Sequence, residues 1–357
     1  MLEGIRLLWQ QQVRSSKQTV CVSKGACLYR NLAGYPFTSH THLQQRMEIL
    51  DILRAALHKL SGFPNDWVEL SWKDCSHDER ALLKKACGLQ VPCEETTIWY
   101  HKKHFTQIIA HDINHIRLRI TRPDGTIKRC ADELMQLESA LDTHLDFAFD
   151  PQIGYVNSAP FATGTGLSAW ALLHLPGLCL KQQVADWVQT LKKTNLCLTP
   201  ADTAQSKVVG HLFYLANDSG LGCSESQLIT QVEAMCAKMV MDELQARKEL
   251  VSKRSVFIKD SVGRALGLLQ NCCELSYDEA TELVSVVVLG IHTNLLSHQH
   301  PTALKLLWRS LSNEYLQAFT QKQLTPEQAS RVRAQLLKSY CSKNIHWVSE
   351  RKARHAK

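Results

Sequence analysis

The chain changes its hydrophobic period partway along, and that change constrains the fold more than any single motif. Thr96 to Tyr100 and Phe105 to Ala110 are short runs of the β-branched and aromatic kind. His115-Ile116-Arg117-Leu118-Arg119-Ile120-Thr121 then alternates strictly until the turn signal Pro123-Asp124-Gly125. Three strands are expected here, with Asp112-Ile113-Asn114 as a hairpin connection. After about Gln227 strand signals nearly vanish and amphipathic helices follow one another. Two of these have clear start signals, the capping box Ser276-Tyr277-Asp278-Glu279 and the sequence Thr325-Pro326-Glu327-Gln328. Before the change, helices are expected over Met47 to Leu60, ending at Gly62-Phe63-Pro64, and over Leu134 to Leu145. Gly154 to Gly166 reads as a loop, and Leu167 to Leu175 as a helix that Pro176-Gly177 ends. The expectation is an α+β body over residues 1–255 and an all-helical region with a basic tail over 256–357, packed together without a low-complexity linker or internal repeat.

Charge sharpens that division. The chain has 357 residues and a formal charge of +7. Arg331 to Lys357 holds eight basic residues and one acid, Glu350, which accounts for the whole excess and leaves the body neutral. A neutral body argues against a nucleic-acid-binding domain, whose basicity runs through the fold. No apolar run approaches the roughly 18 residues of a membrane span. Met1 to Gln10 lacks the apolar core and cleavage site of a signal peptide. The thirteen cysteines include no Cys-x-x-Cys, and several, such as Cys179, Cys236, Cys272 and Cys273, sit in apolar runs. Reduced, mostly buried thiols in a cytoplasmic protein are expected.

Several constellations carry chemistry on paper. Histidines pair closely at His40/His42, His101/His104, His111/His115 and His298/His300. His111 and His115 would share a helix face and suit zinc, but a strand–turn–strand segment separates the rings unless the turn folds them back. Solvated or capping histidines are the expectation, and no metal site is assigned. Thr163-Gly164-Thr165-Gly166 resembles a phosphate loop but lacks the Lys-Ser/Thr of a P-loop and the spacing of a dinucleotide fingerprint. Asp142 and Asp146 lie one helical turn apart, as a solvated face would place them.

Four segments together resemble the ATP:guanido phosphotransferases, specifically the bacterial protein-arginine kinases of the McsB type. Arg30-Asn31-Leu32-Ala33-Gly34-Tyr35-Pro36-Phe37 is similar to the family's "ARN…PFP" stretch, and His115-Ile116-Arg117 to its "NEEDHIR" strand. Asn157 to Leu167, with Leu173-His174-Leu175-Pro176, resembles "TSCPTNLGTGLRAS…LHLP". Ala246-Arg247, Asp260, Arg264-Ala265-Leu266-Gly267, Glu279-Ala280 and Leu289-Gly290-Ile291 follow in family order. The resemblance implies an antiparallel sheet flanked by helices, then a helical domain. It also implies phosphoryl transfer from ATP, with Mg²⁺, to arginine side chains of proteins. That chemistry needs arginines to clamp phosphates and carboxylates to bind a guanidinium and take its proton.

By the same resemblance, nucleotide-binding positions fall on Ser23, Lys24, Gly25, Ala26 and Cys27, on Arg117, and on Ser168, Ala169, Trp170, Ala171 and Leu172. Two phosphate-binding arginines of "SSRIRLARN" fall on Gly25 and Cys27, and a third on Ser168. The acidic pair of "NEEDH" falls on Asp112 and Ile113, the second being the base position, and the following Asp on Asn114. The substrate-loop cysteine falls on Ala159, and the "RGxxGE" loop on Thr199 to Ala204. The phosphoarginine site "RDxxRA" of the C-terminal domain leaves a remnant at Arg333-Ala334, its leading Arg-Asp replaced by Ala329-Ser330. A degenerate homologue is the expectation: a pseudokinase scaffold or regulator, using ATP and Mg²⁺ if active and otherwise no cofactor. The partners the resemblance implies are a zinc-finger activator of the McsA type or a Clp-family chaperone. An active arginine kinase working through Lys24, Asp112 and Arg117 is the alternative, and a structural oligomer, such as a homodimer, a second.

Overall fold

A computed structural model describes residues 20–201, 208–299, 307–308 and 310–348. The N-terminal decapeptide, positions 202–204 of the expected "RGxxGE" loop, His300 and the basic residues of 349–357 lie outside the described residues. In chain order the strands are β1 (Cys21–Arg30), β2 (Trp67–Ser71), β3 (Thr97–His101), β4 (Thr106–Ala110) and β5 (Ile116–Arg122). There follow a separate small hairpin, β6 (Phe149–Asp150) with β7 (Gly154–Tyr155), then β8 (Leu167–His174), β9 (Leu196–Pro200) and β10 (Leu212–Asn217). β11 (Leu296–His298) pairs with β12 (Ile345–Trp347) inside the helical region. The main sheet has eight strands in the order β2-β3-β4-β5-β1-β8-β10-β9. Its neighbours are all antiparallel.

The three strands expected between Thr96 and Thr121 are β3, β4 and β5, and Asp112-Ile113-Asn114 sits at the tip of the β4–β5 hairpin, beyond the Ala110–Ile116 pair. The segment from Leu167, by contrast, is a strand and not a helix. Ala and Leu favour helices, but here Leu167, Ala169, Ala171 and Leu173 are buried while Ser168, Trp170 and Leu172 are half-buried. That is a period of two, and β1 and β10 pair with the segment on both sides, so the sheet overrides local propensity. The helix expected from Leu134 begins earlier, at Ile127, because Thr126 accepts the backbone N–H of Arg129 at 3.0 Å and caps it. Thr163 to Gly166 therefore leads into a strand, and no helix N-terminus stands behind it to receive a phosphate.

One face of the sheet carries Ala26, Leu28, Trp99, Ile108, Leu118, Ala169 and Leu173, packed against the helices Leu43–Leu57, Ile127–Asp142 and Glu225–Lys253. On the other face, the helix His77–Cys87 covers only the β2–β4 end through Leu82, Leu83, Ala86 and Cys87. A second core, from Leu250 to Ile345, joins the helices Ser255–Asn271, Tyr277–His292 and Pro326–Asn344. The two regions meet in a polar seam. Within the α+β body Glu243 accepts the N–H groups of Gly177 and Leu178 and holds Arg247 at 2.6 Å, and Arg247 reaches across to the helical region, 3.2 Å from Nδ1 of His292. Ser285 bridges the rings of His174 and His211 at 2.8 Å each. The helix Asn313–Thr320 also reaches across: Tyr315 and Ala318 pack on the His77–Cys87 cluster, and Glu314 lies 3.7 Å from Lys85.

Candidate functional site

The stretch of sheet that no helix of the described residues covers lies on β5, β1, β8 and β10, and strand parity decides which expected site residues reach it. Ser23, Gly25 and Cys27 of β1 pair with Leu172, Trp170 and Ser168 of β8, so these six share that face. Arg117 and Arg119 join them opposite Tyr29 and Cys27. Lys24, Ala26, Ala169 and Ala171 have the other parity and belong to the helix-covered side. Lys24 accordingly acts on Cys130 and Cys236 beneath the sheet, on the side away from the positions where phosphates would be gripped.

The positions expected to clamp phosphate are close together and filled. A Cβ at residue 25 would collide with the indole of Trp170 and the carbonyl of Ile120, so the indole occupies the space that a side chain at 25 would need. Trp170 meets Tyr214 edge to face at 5.5 Å. Cys27 and Tyr29 form a small buried cluster with Ala162, and Ala159 packs against it. Gly166 has φ +64 and its missing Cβ makes room for the guanidinium of Arg30. Arg30 itself is buried, paired with Glu138 at 2.5 Å and donating to the carbonyls of Tyr29 and Thr165. It pins the loop before β8.

The cations on this face are committed elsewhere. Arg117 donates to the carbonyls of Gly88 (2.9 Å) and Cys87 (2.8 Å), and lies 3.2 Å from Asp112. Arg119 donates to the carbonyl of Ala86 at 3.0 Å, with its guanidinium 5.9 Å from the Trp170 ring centre. Both arginines thus serve the C-terminal end of the helix His77–Cys87, where unpaired carbonyls and the helix dipole favour positive charge. Arg119 was not singled out from the sequence, although its strict alternation with Arg117 along β5 marks it as a neighbour on the same face.

The hairpin tip is a tightly bonded knot. Asp112, 2% exposed, accepts the backbone N–H groups of Gln90 and Val91 at 2.8 Å through one carboxylate oxygen and faces Arg117 with the other. Asn31 joins Asn114 and the backbone N–H of His115, while Ser158 donates to the carbonyl of Ile113 at 2.8 Å. Asp112 borders a cleft of about 330 Å³ together with Arg46, Cys93, Ile113 and Ser158. Arg46 there pairs with Glu95 at 3.1 Å.

The turn does fold His111 and His115 together, with ring centres 6.4 Å apart, and neither is solvated: both are buried. Each donates Nε2–H to a carbonyl, of Arg46 and Pro36 respectively, and His115 accepts the N–H of Leu32 at Nδ1. Burial pushes the pKa of His111 down to about 4 and lowers that of His115. These are neutral rings that tie loops to the hairpin. His42 and His101, by contrast, sit where capping histidines were expected, accepting backbone N–H groups at a helix start and a turn. Asp142 and Asp146 are exposed.

The stretch expected to be a phosphoarginine-site remnant is also occupied. Arg333 is buried, not solvated, and donates to the carbonyls of Leu311 and Leu275 at 2.6 Å each and to the side chain of Asn313. Ala334 is buried beside it, while Arg331 is exposed and pairs with Glu274.

Comparison with known proteins places this geometry. Residues 50–246 match the ATP:guanido phosphotransferase C-terminal catalytic domain, and residues 255–351 match the protein-arginine kinase McsB C-terminal domain. A protein-arginine kinase from Halothermothrix orenii is 28% identical over 328 residues, covering 90% of this chain and 93% of the relative. One from Exiguobacterium is 27% identical over 329 residues, covering 91% and 93%. Among solved structures, lombricine kinase superposes with a TM-score of 0.57 at 17% identity, over 67% of this chain and 69% of that one. The duplicated taurocyamine kinase from Schistosoma mansoni gives 0.56 at 20% identity, over 66% of this chain and 35% of that longer one.

Proposed function

The chain belongs to the ATP:guanido phosphotransferase family, in its McsB-type protein-arginine kinase branch, and from that premise we propose that it is a catalytically silent member that works by binding. One observation carries this reading. Arg117 and Arg119, the arginines on this face of β5, are both tied to the end of the helix His77–Cys87: Arg117 through two nitrogens to the carbonyls of Gly88 and Cys87, and Arg119 through one to that of Ala86. Trp170 fills the space beside them.

A kinase of this family, if active, uses ATP and a divalent metal, and the residues present do not fit that pair. A magnesium-bound triphosphate needs several cations with open N–H groups pointing at it. Each preorganised donor of this kind is worth roughly 2–4 kcal/mol in the transition state. Loss of three, at Gly25, Cys27 and Ser168, removes roughly 6 kcal/mol or more, which is at least about four orders of magnitude in rate. Ile113 at the expected base position cannot take a proton, and the Asp112 carboxylate is already hydrogen-bonded to two amides and ion-paired with a guanidinium. What remains is a rigid two-region body suited to engaging other proteins. By resemblance an activator of the McsA type, a Clp-family chaperone or a second copy of the chain would be its partner, in protein quality control.

The test is direct. Purified protein with Mg-ATP and an arginine-rich substrate protein is expected to give no phosphoarginine, and Mg-ATP is expected to leave the melting temperature unchanged. Phosphoarginine that vanishes in a folded Asp112→Ala variant would overturn the reading.

A further inference from the structure

We propose that the cleft beside the hairpin tip takes an aspartate or glutamate side chain of a partner protein, held by Arg46. This rests on the reading above, that the chain works by binding. Arg46 belongs to the helix Leu43–Leu57 and lines the cleft of about 330 Å³. Its Nε donates to the hydroxyl of Thr41 at 3.3 Å, and its Nη1 donates to Glu95 at 3.1 Å. Its backbone carbonyl accepts Nε2–H of His111 at 2.9 Å. Nη2, with two further protons, makes no hydrogen bond among the described residues. The guanidinium is thus fixed before any ligand arrives, which lowers the cost of ordering it on binding.

A second group on the cleft wall is also open. Thr38 is 7% exposed, and its hydroxyl has no hydrogen-bond partner among the described residues. Buried polar side chains are seldom left unpaired. A hydroxyl and a guanidinium nitrogen with protons to give, on one small cleft, call for an acceptor that enters it.

Charge selects the class of that acceptor. Among the lining residues Asp112 is the carboxylate, and its charge is already offset by Arg117 at 3.2 Å. Ile113 beside it adds only apolar surface. An entering guanidinium or ammonium therefore gains no unpaired acid and faces the like charge of Arg46. A phosphate dianion brings two charges toward Asp112 and Glu95, with one guanidinium to receive them. A carboxylate brings one charge, and its oxygens suit guanidinium N–H donors. The volume is at the small end of ligand sites, room for a side chain and not for a nucleotide. Val91, 67% exposed on the rim, offers apolar contact to the residues flanking the acid, which favours a protein segment over a free small acid.

Labelled peptides carrying glutamate, glutamine, arginine or phosphoserine between leucines are titrated into the full chain and followed by fluorescence anisotropy. The glutamate peptide is expected to bind, and the other three to bind roughly tenfold or more weakly, the worth of a charge-assisted hydrogen bond. Cys93 lines the cleft with a half-buried thiol, so the bound peptide should slow its alkylation by iodoacetamide while the exposed Cys273 reacts at an unchanged rate. Arg46→Gln and Thr38→Val should each weaken the glutamate peptide, the first more. An arginine or phosphoserine peptide that binds as tightly, or binding that leaves Cys93 unprotected, would overturn the proposal. N-acetylglutamate that protects Cys93 as well as the peptide does would overturn the assignment to a protein segment. The peptide series is read on the native protein and stands where a variant fails to fold. Phosphoarginine formed from the arginine peptide with Mg-ATP sinks the silent-kinase reading, whereas a glutamate peptide that does not bind sinks this proposal alone.

Discussion

Replacing Asp112 by alanine separates a carboxylate that holds the fold from one that performs chemistry. In the native protein it accepts two backbone N–H groups at 2.8 Å and faces the Arg117 guanidinium at 3.2 Å. Arg117 is 3% exposed, so alanine at 112 leaves its charge buried with only carbonyl partners. Breaking a buried pair from one side costs about 3–5 kcal/mol. The amides of Gln90 and Val91 belong to exposed residues, where water replaces the lost acceptor, and they add little to that figure. Urea denaturation should therefore register a loss of about 3–5 kcal/mol, and hydrogen exchange should show Gln90 and Val91 losing protection. Removing the stranded charge as well, in Asp112→Asn with Arg117→Met, should cost less than the sum of the two single changes. A loss below about 1 kcal/mol would refute the buried-pair account. Unchanged stability together with lost phosphoarginine formation would make Asp112 catalytic.

Three further outcomes follow from the same geometry. Gly25→Arg, which places an arginine at an expected clamp position, should destabilise the protein by about 1–3 kcal/mol through overpacking against Trp170, and pairing it with Trp170→Ala should recover part of that loss in thermal melts. His111, pushed down to about 4 by burial, stays neutral in the fold while the unfolded chain takes up a proton below about pH 6.5. Stability is thus fully present above that pH and falls with acidification by roughly 1.4 kcal/mol per pH unit down to about pH 4; His111 has φ +54, which asparagine tolerates, so His111→Asn should flatten the urea-midpoint profile over that window. Free phosphoarginine should leave the melting temperature unmoved, and Arg333→Met should destabilise the helical region, because the three Arg333 partners are structural; a saturable upward shift with phosphoarginine would contradict this.

The sequence carried the β3–β5 run and the capped C-terminal helices because period and caps are local signals. It did not carry β8, whose Ala and Leu residues favour a helix until β1 and β10 pair with both of its edges. Gly25, Cys27, Ser168 and Trp170 were named only through resemblance, and what the structure adds is that strand pairing sets the four on one face. Their occupancy was not legible, since nothing local indicates that Trp170 lies over Gly25 or that Arg117 turns to a helix end. Lys24 illustrates the same limit: adjacency in sequence to Gly25 suggested a shared site, whereas a strand sends adjacent residues to opposite faces. His111, His115 and Arg333 looked like surface groups because their carbonyl partners come from segments distant in the chain.

The helix His77–Cys87 links regions that the sequence keeps far apart. Its last carbonyls are held by Arg117 and Arg119 on the sheet, while its flank bears Tyr315 and Ala318 from the C-terminal part. Mechanically it is a beam pinned at one end and propped along its side. A load placed on the helix Asn313–Thr320 would therefore bear on that prop, and through the helix on the two guanidinium groups beside the hairpin tip.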